Sequence, residues 1–418
     1  MNVLYVIKRP LMERDMQRFG ITAAIRRGYG VTIIDMSDLL HSEVPNDRRA
    51  IPSHPDLEYL VVSTWKEFAG TRDAFRRATM AFLLIQSFGL SRSTLPPLRM
   101  LARSATAYAM MTPVLYPGAQ LESNGIRRFQ HLRDLFTRLA HADPLNSVLA
   151  RLGPRPFGAP YAKWVICNSE RSRTATNRLI GPRTQVVATH APDYELYRNM
   201  ATKPMETVDQ AVFIDQFLPY HPDYTVLGPN MLDDVAYYAG LRHLFDRIEA
   251  ELGLEVVVAA HPRADYAGHP GIFGERRVVA GRTEELIAQS RLVLAHTSTA
   301  IGFAVLFRRP LMLLTSQALY GRHVYEKYTY EGLATELGTP LRFFDDPAAM
   351  DLRDCLTVNA AAYRRYVDAY LRCNDAPDRP MWDTIWDAIG GGGRHAAVRE
   401  QTATGIPPAV GTAEGLPS

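Results

Sequence analysis

Short apolar runs alternate with amphipathic stretches along this chain. Val256–Ala260, Leu292–Ala295 and Pro310–Thr315 are brief and uninterrupted, the length of strands buried on both faces of a parallel sheet. Each is followed by a polar cluster: His261-Pro262-Arg263, His296-Thr297-Ser298-Thr299 and Thr315-Ser316. Helical patterns separate the runs. An open parallel sheet binds ligands just beyond the carboxyl ends of its strands. The polar clusters therefore stand where such a fold gathers its chemistry.

The same alternation fills the first half. Residues 2–7 and Val31–Met36 read as strands around a helix over Glu13–Arg27, which stops at Gly28 and Gly30. Tyr59–Ser63 reads as a strand. Thr71–Ser87 reads as a long helix, with the apolar run Met80–Ile85 as its buried face. Ala105–Met111 reads as a strand leading into a Pro/Gly-broken loop, and Ile126–Ala140 as an Arg-rich amphipathic helix. Lys163–Asn168 and Gln185–Thr189 read as strands flanking a helix over Glu170–Leu179. The stretch HAPDYELYRNMATKPMET is polar and broken by proline, which predicts a domain connection near 200–207.

The second half restarts with the strand Gln210–Asp215 and a helix over Met231–Leu252, whose Leu241, Leu244, Phe245, Ile248 and Leu252 share one face. Beyond the three opening runs, Tyr320–Leu337 and Asp354–Leu371 read as helices. Trp382 and Trp386, four apart, share a helical face. The Gly-, Ala- and Thr-rich segment from Gly390 has little to bury and predicts a disordered tail. The expected division is 1–203, 204–352, 353–389 and the tail 390–418.

Composition narrows the class. At 418 residues, with 47% apolar and 22% charged residues, the chain is an ordinary globular protein long enough for two domains. No apolar stretch is long enough to span a membrane and the start lacks the flanks of a signal peptide. Three scattered cysteines suggest a reducing compartment and no structural metal site. A cytoplasmic protein is expected. Net charge is +3, but residues 1–200 carry +11 and the remainder −8. A basic first half suits an anionic acceptor or the inner face of an anionic membrane; a solvated arginine-rich face is the plainer alternative. The sequence has no GxSxG, Walker A, HExxH or zinc-type spacing, and no nucleic-acid-binding module.

His261 and Arg263 could hold a phosphate leaving group, as proton source and forked cation. Thr297, Ser298 and Thr299, beside His296, could cap a helix start and bind an anion at its free N–H groups. Thr283 is the expected N-cap of a helix carrying Glu285, a carboxylate that could reach a ribose or base. Asp215 ends a strand and precedes Gln216. His190, Asp193 and Tyr194 lie on the connection, where they face a cleft or simply form turns. Asp35, Asp38 and Glu122 lie beyond strand ends in the first half and are the candidates for a general base; Asp35 and Glu122 join His261 as the expected catalytic residues.

These residues resemble a family. The order His-Pro-Arg after a strand, a GRTEEL segment, then His-x-Ser-Thr at a helix start is similar to bacterial surface-polysaccharide glycosyltransferases of the GT-B fold. The nearest group is that of sialyl-, polysialyl- and Kdo-transferases. HAPDYELY, VFIDQFLPYHPDY and AAHPRADY share the likeness, which covers about residues 185–320. It implies two Rossmann-like domains facing a cleft, a C-terminal helix bracing back, no cofactor and no metal for donor binding. It implies that His261, Ser298 and Thr299 contact the phosphate of a CMP-activated sugar, and that the acceptor is a saccharide, anionic or lipid-linked. The family's base lies in an acidic-acidic-Gly motif that this sequence lacks. A nucleotide-sugar 2-epimerase of the same architecture and a non-catalytic interaction protein are the rival readings.

Overall fold

The computed structural model describes residues 1–40, 53–84, 90–112, 117, 149, 152–174, 177–202, 205–220, 232–262, 264–322, 324–346 and 350–390. The helix expected over Ile126–Ala140 and the tail lie outside the described residues, as do Glu122 and Arg263.

Two parallel sheets organise the chain. The first holds β1 (Asn2–Ile7), β2 (Gly30–Asp35), β3 (Leu57–Val61), β4 (Met80–Leu83), β5 (Ala107–Met111), β6 (Trp164–Cys167) and β7 (Gln185–Ala188) in the order β3-β2-β1-β4-β5-β6-β7. The second holds β8 (Gln210–Ile214), β9 (Glu255–Ala259), β10 (Val278–Val279), β11 (Leu292–Ala295), β12 (Leu311–Thr315) and β13 (Leu341–Phe343) in the order β10-β9-β8-β11-β12-β13. The strand order therefore reverses between β1 and β4 in one sheet and between β8 and β11 in the other. Such reversals open a crevice at the carboxyl edge, because the flanking connections leave on opposite faces.

The apolar runs form strands because both faces are covered. β8, β11 and β12 are buried along their whole length. β4 corrects the helix expected over Thr71–Ser87. A short helix, Arg72–Arg77, ends before Met80, and Met80–Leu83 is a strand buried at every position. A run buried all round lacks the polar face that separates helix from strand periodicity. Glu13–Arg27 is likewise two helices, Glu13–Arg18 and Ile21–Arg26, broken at Gly20, whose φ of 68° is left-handed.

The C-terminal helix Met381–Gly390 returns to the first sheet. Met381, Trp382, Ile385 and Trp386 join the core formed by Val3, Tyr5, Ile33 and Phe82. Arg27 holds its outer face through Asp383 and Asp387, each at 2.9 Å. The two chain crossings between the sheets also touch. Ala191 donates its N–H to Leu371 O at 2.8 Å, and Cys373 donates to Thr189 O at 2.9 Å. Buried His190 meets Glu195 at 2.5 Å, and the same carboxylate accepts the Met381 N–H at 3.0 Å. Burial pushes the Glu195 carboxyl up, but the bonds from His190 and Met381 outweigh it and leave it below its ordinary value. No helix among the described residues is long and apolar enough to cross a membrane.

Candidate functional site at the switch point of the second sheet

β8 and β11 are neighbours at the reversal of the second sheet, and the polar residues beyond them meet there. Asp215 follows β8 and is 2% exposed. Its Oδ1 accepts the Phe217 N–H at 2.9 Å, and its Oδ2 accepts the Tyr266 hydroxyl at 2.6 Å. That hydroxyl oxygen in turn accepts the His261 N–H at 2.8 Å. Asp215 thus ties the loop after β8 to the loop after β9. Burial raises its carboxyl to about 6 despite the bonds from Tyr266 and Phe217. Phe217 has a φ of 53°, a conformation that costs a side-chain-bearing residue about 1–2 kcal/mol. Strain of this kind persists where surrounding bonds over-determine the backbone, and such places are often functional.

Gln216 bridges the crevice itself. Its Nε2 donates to Thr297 O at 3.2 Å, so the carboxyl ends of β8 and β11 are pinned together. Its Oε1 is buried and has no hydrogen-bond partner. A buried acceptor left without a donor costs about 1–3 kcal/mol. At a strand-order reversal, a water or a ligand N–H or O–H would supply the missing bond.

The expected site residues divide around this crevice. His261 is half-buried beyond β9, with its backbone anchored through Tyr266. Thr297 and Ser298 are half-buried and Thr299 is exposed at the crevice edge. The Ser298 hydroxyl accepts the Ala300 N–H at 3.2 Å, ahead of a helix of one and a half turns, Ile301–Leu306. His296 is corrected. It is completely buried, with Nδ1 2.9 Å from Leu314 O and Nε2 2.8 Å from the Tyr237 hydroxyl. The carbonyl can only accept, so Nδ1 carries the proton and Nε2 accepts from Tyr237. Burial pushes this imidazole down to about 4 and keeps it neutral. His296 ties β11 to β12 and does not face a ligand.

Asp35 is corrected on similar grounds. It is fully buried, accepts the Ser37 N–H at 2.8 Å and accepts the Tyr59 hydroxyl at 2.8 Å. It fixes the turn after β2, with both of its oxygens engaged. Asp215, expected to touch substrate, has both carboxylate oxygens engaged, by the Phe217 N–H and by the Tyr266 hydroxyl that holds the His261 N–H. Glu285 pairs with Arg282 at 2.5 Å, and Arg282 rather than Thr283 is the N-cap of Thr283–Gln289. The connection expected at HAPDYELY is a helix, Pro192–Ala201, with Pro192 in its first turn. Its Tyr197 packs edge-on against Phe307 at 5.1 Å, on the second-sheet side.

Tyr266 is the crevice residue that sequence reasoning passes over, and Gln216 enters it only as the neighbour of Asp215. Gln216 adjoins a strand-ending aspartate, and Tyr266 closes the HPRADY stretch; both signals were present but only in three dimensions do they converge. A separate cavity of about 300 Å³, lined by Leu311, Gly338, Arg342 and Asn359 among others, lies at the amino ends of β12 and β13. It is on the opposite edge of the sheet from the crevice.

No family model matches the sequence. No curated protein matches it either. Solved structures do. The wall teichoic acid polymerase TagF, as a histidine-to-asparagine variant soaked with CDPG, aligns with a TM-score of 0.52 at 11% identity, over 93% of this chain and 88% of that one. The glycotransferase of kitacinnamycin aligns at 0.47 and 12% identity, over 87% and 92% of the two chains. The UDP-GlcNAc 2-epimerase from Methanocaldococcus jannaschii aligns at 0.44 and 11% identity, over 94% of this chain and all of that one. The class that the fold defines is a GT-B-type α/β arrangement of two parallel sheets, which the TagF polymerase shares.

Proposed function

We propose that the protein is a glycosyltransferase that moves a sugar from a nucleotide-sugar donor to a saccharide or lipid-linked acceptor. The observation that carries this reading is the crevice between β8 and β11. There the unpartnered Gln216 Oε1 lies beside the Thr297 and Ser298 loop. Gln216 Oε1 is suited to a donor group on the nucleotide sugar. Thr297, Ser298 and Thr299 supply hydroxyls for its phosphate, and His261, with Arg263 two residues on, supplies a proton or positive charge for the departing phosphate. The +11 charge of residues 1–200 suits an anionic acceptor. A CMP-sugar in bacterial surface-polysaccharide synthesis is the donor and setting we favour, on the resemblance in residues 185–320.

Calorimetry with CMP, UDP and GDP tests the reading. Binding of one of them in the micromolar to low millimolar range is expected, with CMP first. No heat from any of the three at millimolar concentration would sink the donor site. Gln216→Leu removes the orphaned acceptor while keeping its bulk. It is expected to weaken nucleotide or donor-sugar binding about tenfold, the worth of one hydrogen bond, and to lower Tm slightly, because the Nε2 bond to Thr297 O is lost as well. Unchanged affinity for nucleotide and nucleotide sugar alike would remove Gln216 from the site.

A further inference from the structure

Asp193 is an aspartate of the crossing that has no ion pair among the described residues. It lies in the first turn of the helix Pro192–Ala201, which packs against Ile301–Leu306. A β-carbon placed on Gly302 would lie 3.5 Å from Asp193 Oδ2. The carboxylate therefore sits over the helix that follows the Thr297–Thr299 loop. Its electrostatic neighbours come from both halves of the molecule: Arg18, at the end of the helix after β1, and Glu284, at the start of the helix before β11. It is partly buried, and among the described residues nothing donates a hydrogen bond to it. Asp35 and Asp215, by contrast, have hydrogen bonds to both oxygens.

We propose that Asp193 is the catalytic base that takes the proton from the acceptor hydroxyl. The proposal rests on the glycosyltransferase reading above. The acceptor O–H gives its proton to the Asp193 carboxylate. The oxygen's electron pair forms the bond to the anomeric carbon of the donor. The bond from that carbon to the phosphate oxygen breaks, its pair stays on the phosphate, and the nucleotide leaves. Asp193, now protonated, returns the proton to water.

A plain helix-start aspartate is stabilised by the N–H groups and dipole of its helix, which would hold its carboxyl low. Here burial pushes the carboxyl up to about 6, against Arg18 and with Glu284. That value suits a base working near neutrality. The sign for stability follows. The raised carboxyl costs nothing below pH of about 4, where an unfolded aspartate is also protonated. The cost grows as pH rises and is complete above about 6.

The full chain carrying Asp193→Asn tests this, with nucleotide release from CMP-N-acetylneuraminic acid, UDP-N-acetylglucosamine and GDP-mannose as the activity probe. The Asn variant is expected to bind nucleotide within threefold of the parent and to lose at least a hundredfold in kcat. Its Tm should be equal or higher at pH 7.5, the gain shrinking toward pH 4.5. The acid limb of the parent's rate profile near pH 6 should disappear, and Asp193→Glu should restore part of the rate. Parental turnover by the Asn variant, or a lower Tm at pH 7.5, overturns the proposal and leaves the donor reading standing. A parent chain that binds none of CMP, UDP and GDP overturns the donor reading instead.

Discussion

Gly20→Ala is expected to destabilise the protein by about 3 kcal/mol or more, from two independent causes. Gly20 has a φ of 68°, and a side-chain-bearing residue held there loses about 1–2 kcal/mol. A β-carbon at this position would also fall 2.0 Å from Cδ2 of Trp382. The indole cannot retreat. It is 7% exposed, meets Phe82 edge-on at 5.6 Å, and donates its Nε1–H to Arg18 O at 3.3 Å. Overpacking of that kind costs about 1–3 kcal/mol. The strain would be relieved by lifting the helix Met381–Gly390 off the first sheet, which exposes Trp386 and separates Arg27 from Asp383 and Asp387. Chemical denaturation followed by tryptophan fluorescence reads both effects. A change below about 1 kcal/mol would mean that the C-terminal helix is not docked as described.

His261→Ala is expected to weaken nucleotide binding by about ten- to a hundredfold, the range for a hydrogen bond to a charged group. The Tm should stay within about one degree. The reason for the split is that two hydrogen bonds that do not involve the ring anchor the backbone of the loop. The His261 N–H donates to Tyr266, and Tyr266 donates to Asp215, so the backbone stays fixed when the ring is removed. Tyr266→Phe reverses the pattern. It leaves the His261 N–H and the Asp215 carboxylate each short of a partner, so stability and affinity should fall together. A His261→Ala protein that binds nucleotide normally but melts several degrees lower would make His261 a structural residue.

Much of the fold was legible because its strands are buried on both faces. Val256–Ala260, Leu292–Ala295 and Pro310–Thr315 could be read from length and apolarity alone, and the structure places strands at all three. The same property hid β4, since a run buried all round looks alike in a helix and a strand. Pro192 reads as a chain break in the sequence, yet its position before Asp193 and Glu195 marks a helix start. The likeness to GT-B proteins was visible in the polar clusters, and the structure bears out that architecture. The roles within the clusters were not visible. His296 and His261 look alike in sequence, each directly after an apolar run. Only packing separates the histidine bonded to Leu314 and Tyr237 from the one at the crevice. Strand order was equally hidden, and it is strand order that brings Gln216 beside Thr297.

Hydrogen–deuterium exchange, with and without the tightest-binding of CMP, UDP and GDP, tests the central claim most directly. Bound nucleotide should slow exchange in 214–217, 260–266 and 296–302, the three segments around the β8–β11 reversal, and leave 338–342 at the other edge of the sheet unchanged. Protection confined to the first sheet, or to the cavity at the amino ends of β12 and β13, would contradict it.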